Sequence, residues 1–163
     1  GESGYDSLFV GSNAEKVVRL AQCPVLTIRK KPKNVSISKM VLACDLGKDQ
    51  KKVIDQIKQV QSLFDSELHL VYVNTPANFT CTQDLEEKAA AFATEHSLSN
   101  YQFHIYCEYV EDDGINQFAK SIDANLVVLI SHKRRGFARL LAGSISEGVV
   151  GSAQIPVMTF SLH

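Results

Sequence analysis

The chain has 163 residues, of which 45% are apolar and 21% charged, an ordinary composition for a globular domain with a sizeable core. A formal net charge of −1 gives no global electrostatic case for nucleic acid or an anionic membrane, and no apolar run approaches the length of a membrane-spanning helix. The four cysteines, Cys23, Cys44, Cys81 and Cys107, lack metal-ligand spacing and suit a reducing cytoplasm.

Residues 1–7 read as a glycine-bearing loop. Ser12 followed by Glu15 fits a capping box, so a helix starts there. Val17, Val18 and Ala21 form its apolar stripe, Pro24 ends it, and residues 25–28 (VLTI) are a short strand. Residues 30–36 are a basic, proline-containing linker and the clearest boundary in the chain. Residues 40–44 (MVLAC) are a continuous apolar run before the turn Asp45-Leu46-Gly47, which suits a strand buried on both faces. Residues 48–64 repeat with helical period, placing Val53, Ile54, Ile57, Val60 and Phe64 on one side. A strand at 67–73, a loop at 74–80 and a helix at 82–96 follow, the helix turning Leu85, Ala89 and Phe92 inward.

Residues 101–109 alternate as a strand with one more polar face, which places it nearer a sheet edge. Asp112 or Asp113 is expected to cap a short helix carrying Ile115, Phe118, Ala119 and Ile122. Residues 125–130 (NLVVLI) are another buried strand, and 131–139 (SHKRRGFAR) a polar, basic loop. Ser144 and Glu147 repeat the capping box, opening a last helix before a strand at 156–160. The alternation of strands and helices predicts a doubly wound α/β fold with about five parallel strands and helices on both faces. Ligands in such sheets sit beyond the carboxyl ends of the strands, where the winding reverses. Asp45, Asn74 and the loop at 131–143 all lie on that side.

The chain also contains an internal repeat. Residues 8–28 (LFVGSNAEKVVRLAQCPVLTI) superpose without a gap on 140–160 (LLAGSISEGVVGSAQIPVMTF) at an offset of 132, the difference between Gly143 and Gly11. Ser12 then meets Ser144, Glu15 meets Glu147, Pro24-Val25 meets Pro156-Val157, and Thr27 meets Thr159. The second copy has about a hundred residues of ordered-looking sequence before it, and the first has almost none. The expected organisation is therefore the closing helix and strand of a first domain at 1–30, a linker at 31–37, and a complete domain at 38–163.

This combination resembles the universal stress protein family. The residues that carry it are Met40 through Asp45, Asp123 through Val128, and Gly143-Ser144 through Pro156-Val157 with its earlier copy. The resemblance implies an adenine-nucleotide alpha-hydrolase-like sheet in which the last strands of two domains pair antiparallel. Here it implies pairing of residues 25–28 with 157–160, within one chain or by self-association across a dimer. It also implies a stress-response role in the cytoplasm. Some family members bind ATP, with Mg2+, and others act without nucleotide, through dimerisation and protein partners.

Family binders carry a glycine, two residues, a second glycine, nine residues, then glycine with Ser or Thr. In the complete domain these positions are Ile130, Lys133, Gly143 and Ser144, so the last pair matches and the first two glycines are replaced. In the earlier copy the second glycine is Gly1 and the last pair is Gly11-Ser12. The resemblance assigns Asp45 to the nucleoside and the Val73 backbone to the adenine edge.

Each assignment has a structural counterpart. Ser144 as a helix cap is worth ~1 kcal/mol without any ligand. The same helix N-terminus, with Gly143 before it, offers unpaired N–H groups to a phosphate. Asp45 can equally bond its own backbone two residues on. A branched side chain at Ile130 would crowd a phosphate, whereas Lys133, with His132, Arg134, Arg135 and Arg139, would attract one. His69 and His104 read as structural strand residues. His96 lies at a helix C-terminus, where its charged form would suit the dipole. No nucleophile triad, acid–base pair or metal cluster is visible, which weighs against a dedicated enzyme and leaves weak ATP hydrolysis open.

Overall fold

The structure, a computed structural model, describes residues 17, 20–28, 36–47, 50–131 and 155–162, with backbone only at 131. The strands are β1 (Val25–Thr27), β2 (Lys39–Ala43), β3 (Glu67–Asn74), β4 (Tyr101–Cys107), β5 (Leu126–Ser131) and β6 (Val157–Ser161). The described helices between them are α1 (Lys51–Phe64), α2 (Thr82–Glu95) and α3 (Glu111–Ser121), and a 3-10 turn occupies Pro76–Asn78. The sheet order is β1-β6-β5-β2-β3-β4. The five strands from β2 to β6 run parallel, and β1 pairs antiparallel with β6. Winding proceeds from β2 out to β4, then returns to the other side of β2 with β5, so the reversal falls at β2.

Period-two alternation sorts the strand residues onto two faces. Met40, Leu42, Leu68, Leu70, Leu126, Val128, Ile130 and Phe160 pack with α1 residues Val53, Ile54 and Ile57 and with α2 residue Phe92. Val41, Val71, Val127, Leu129 and Val157 pack with Ile115, Phe118 and Ala119 of α3 on the other face. The central strands are apolar at nearly every position because both faces are covered. β4 is an edge strand and keeps the polar alternation expected of it.

The amino ends of the strands are tied by side-chain amides. Asn125 Oδ1 accepts from Ser38 N, Ser38 Oγ and Lys39 N at 3.0, 2.9 and 2.9 Å. Gln61 Nε2 donates to the carbonyls of Ser66, Ser99 and Asn100 at 3.1, 3.0 and 3.1 Å. Ser66 Oγ bonds the carbonyl of Ile37.

The helix ends differ from the expectation in two places. Val110, not Asp112 or Asp113, occupies the cap position of α3, without a side-chain cap bond. The two aspartates lie in the first turn with Glu111, where a carboxylate favours the positive end of the helix dipole. His96 is the C-cap of α2 as expected, but it is only 3% exposed and sits edge-on to Phe92 at 4.4 Å. The capping boxes at Ser12 and Ser144 lie outside the described residues.

Candidate functional site

The carboxyl end of β2 is recessed between longer neighbours. Its last residue, Ala43, pairs with Val71 on one side and Leu129 on the other. β3 continues through Tyr72 and Val73 to Asn74, and β5 through Ile130 to Ser131. The notch between them lies at the reversal of winding, where an open α/β sheet binds its ligands.

The ladder runs out at the same point. Cys44 N donates to Val71 O at 3.2 Å, so the polar backbone of Val71 points towards β2. Alternation directs the N–H and C=O of Val73 the same way, above the end of β2, where among the described residues no strand meets them. The Val73 side chain faces the opposite problem, being pressed against α3: a Cβ at Gly114 would lie 2.6 Å from Val73 Cγ1. Gly114 is thus what lets α3 seat this close to β3.

The floor of the notch is the turn after β2. Asp45 Oδ1 accepts from Gly47 N at 2.9 Å and from Gln50 Nε2 at 2.8 Å. Gln50 is 1% exposed, and its Oε1 faces the Cys44 thiol at 3.7 Å. A carboxylate accepts only, so the amide must present its NH2 to Asp45, and its oxygen is left for the thiol proton. The thiol in turn accepts from Leu46 N at 3.2 Å. Burial pushes the Cys44 thiol up to about 12, which keeps the donating proton in place. Leu46 closes the turn at φ 57, a left-handed conformation that costs a non-glycine residue on the order of 1–3 kcal/mol. The local role expected of Asp45, bonding the backbone two residues on, is therefore present. Gln50 was not a candidate in the sequence, where it falls inside the helix expected at 48–64; the described helix begins at Lys51 with Gln50 as its N-cap.

On the far side of the notch, Asn74 is buried and clamps the following loop. Its Nδ2 donates to Thr80 O at 2.9 Å, and its Oδ1 accepts from Thr80 N at 3.0 Å. Ile130 is buried among the core residues, so its bulk is directed into the core cluster. The structure brings Asp45 and Val73 to one notch. His132, Lys133, Gly143 and Ser144, and the earlier copy's Gly1, Gly11 and Ser12, lie outside the described residues. No group of side chains able to hold a metal ion occurs among the described residues.

At the opposite edge, the β1–β6 pairing is symmetric about its centre. Val25 faces Thr159, Leu26 faces Met158 and Thr27 faces Val157. Under the repeat, Val25 corresponds to Val157, Leu26 to Met158 and Thr27 to Thr159. Each copy therefore meets the other in reversed order, with a pseudo-two-fold axis at Leu26 and Met158.

An open, doubly wound sheet with a recessed central strand at its switch point defines the α/β class of the fold. Residues 36–161 match the model of the universal stress protein family, and the chain belongs to that family. Similar solved structures include a universal stress protein from Archaeoglobus fulgidus DSM 4304, 22% identical with a TM-score of 0.66, covering 93% of this chain and 54% of that one. A candidate universal stress protein from Pseudomonas aeruginosa UCBPP-PA14 is 23% identical with a TM-score of 0.66, covering 99% of this chain and 60% of that one. The chain thus spans little more than half the length of these two. A universal stress protein in complex with cAMP is 16% identical with a TM-score of 0.52, covering 77% of this chain and 97% of that one. No curated protein sequence is matched.

Proposed function

We propose that the chain is a nucleotide-binding universal stress protein module of the cytoplasm, taking ATP or a related adenine nucleotide with little or no hydrolysis. The observation that carries this is the Val73 backbone, whose donor and acceptor pair meets no strand among the described residues above the end of β2, where Asp45 follows. An adenine edge offers the complementary pair. The related structure in complex with cAMP supports the same chemical class. A triphosphate would bring Mg2+ with it. The test is calorimetry with Mg·ATP on the purified chain and on Asp45→Ala. Absence of binding at about 1 mM, where a specific site would be worth only about 4 kcal/mol, ends this reading. Unchanged affinity in Asp45→Ala removes Asp45 from the site.

A second reading, association without nucleotide, is favoured by one observation. Asp45 Oδ1 is already engaged by Gly47 and Gln50. In that case the β6 edge is the functional surface. On either reading, residues 1–30 are the closing helix and strand of a preceding copy of the fold. The symmetric register of β1 on β6 supports this. Removal of residues 1–30 would then free the β6 edge for a second chain, giving a symmetric dimer by light scattering. A shortened chain that stays monomeric and folded speaks against it.

A further inference from the structure

A second cluster lies on the α3 face at the amino ends of β3 and β4, away from the notch. His69 Nδ1 and His104 Nε2 are 3.0 Å apart across the β3–β4 pair. His69 is 5% exposed, and His104 is half-buried against the Phe118 ring at 4.8 Å. The other nitrogen of His69, Nε2, approaches Glu67 Oε2 at 3.3 Å without the alignment of a hydrogen bond, so that attraction is electrostatic. Glu67 Oε1 accepts from Gln102 Nε2 at 2.6 Å.

The carboxylate selects the tautomer. If His69 Nδ1 donated to His104, the bare Nε2 lone pair of His69 would face Glu67. The reverse arrangement places an N–H towards the carboxylate and lets His104 Nε2–H donate to His69 Nδ1. One proton then occupies the gap between the rings. A first added proton goes to His104 Nδ1, the remaining basic nitrogen, and leaves the chain intact. A second has no place except His69 Nδ1, where two N–H groups would point at each other.

The remaining neighbours do not relieve this. β2 contributes Lys39, opposite Glu67 in the ladder, but its ammonium bonds the Ile122 carbonyl at 3.0 Å. On α3, Phe118 meets the pair, Lys120 is exposed, and Glu111, Asp112 and Asp113 lie in the first turn at the other end. β4 adds Gln102 and Tyr106, both uncharged.

We propose that His69 and His104 form a proton-sharing pair that couples acidity to the edge strand: full protonation breaks the link and loosens the first half of β4 from β3. Burial and the neighbouring His69 hold the His104 imidazole below the usual histidine range, with Glu67 opposing. The unfolded chain therefore takes up the proton first. Stability from His104 is complete above about pH 6.5 and is lost as pH falls through that value towards the depressed native one.

The test is amide hydrogen exchange, corrected for intrinsic rates, on the intact chain and on His104→Gln between about pH 7.5 and about pH 5. The wild type should lose roughly tenfold protection at Gln102 to Ile105 relative to Val127 and Val128, and His104→Gln less than about twofold. Nitrogen-15 spectra should show the two rings titrating as a coupled pair in two macroscopic steps. Equal loss in both proteins, or independent single-step titrations, overturns the proposal.

Discussion

Gly114→Ala pits two well-measured effects against each other. Alanine in a helix interior is favoured over glycine by about 0.8–1.0 kcal/mol. At this position, however, the added Cβ would lie 2.6 Å from Val73 Cγ1, 3.1 Å from Val73 Cγ2 and 3.1 Å from Glu108 Cβ. Val73 is β-branched and stiff at χ1, so it cannot swing aside cheaply. Overpacking of this kind costs about 1–3 kcal/mol. The balance is a loss of about 1 kcal/mol, which lowers the urea midpoint by roughly 0.5 M at an m-value of about 2 kcal/mol/M. In a Val73→Ala background both methyls that crowd the site are gone. With only the 3.1 Å approach to Glu108 Cβ left, the same substitution should then stabilise by up to about 1 kcal/mol, so the effect changes sign across the double-mutant cycle. If Gly114→Ala stabilises the wild type, the close approach of α3 to β3 is refuted.

His96→Phe removes a buried ring whose two nitrogens have no partner among the described residues, and should raise stability by about 1 kcal/mol in urea unfolding. A loss of that size would show that the ring is hydrogen-bonded in solution. Asn125→Ala removes the acceptor shared by Ser38 N, Ser38 Oγ and Lys39 N, and should cost about 1–2 kcal/mol. Asn125→Asp keeps that oxygen and should lose less than half as much; equal losses would assign the role to side-chain bulk. Cys44 should react with a disulfide reagent far more slowly than exposed Cys23, Cys81 and Cys107 until the chain is unfolded. Its thiol goes from 9.0 to about 12 on folding, so the stability it contributes is complete below 9.0 and is lost as pH rises towards about 12. Equal labelling rates, or urea midpoints flat over that alkaline window, would contradict this.

The parallel sheet was legible because apolar runs such as Met40 to Cys44 and Leu126 to Ile130 have no polar face to spare. The edge position of β4 followed from the alternation in Tyr101 to Cys107, and the β1–β6 pairing from the family resemblance. The notch was not legible, because it depends on where three strands end relative to one another. Neither Ala43 nor Val73 carries a local mark of that. Gly114 did carry a signal, since a glycine inside a helical pattern needs a packing reason. His69 and His104 were read separately because contact depends on β3 and β4 being neighbours in a particular register. His96 was read from its place at a helix end, which the structure shows, but its burial beside Phe92 had no local mark in the sequence.

The symmetric register on β6 constrains what can occupy the outer edge of β1. On β6, the side away from β1 is taken by β5, running parallel from Val127 opposite Val157 to Ser131 opposite Ser161. A pseudo-two-fold axis at Leu26 and Met158 carries β5 onto the free side of β1, in the same parallel sense. Leu26 on β1 and Ile28 just after it are exposed, and so are the helical residues Val17 and Leu20 before it. Their repeat equivalents are Met158, Phe160, Val149 and Ser152, of which Met158 packs against a core cluster and Phe160 belongs to it. Leu26 and Ile28, exposed where the second copy packs Met158 and Phe160, therefore mark a surface suited to being covered. A single β-strand added at that edge would satisfy the backbone of β1 but leave Val17 and Leu20 uncovered. A strand with its own helix layer would satisfy both.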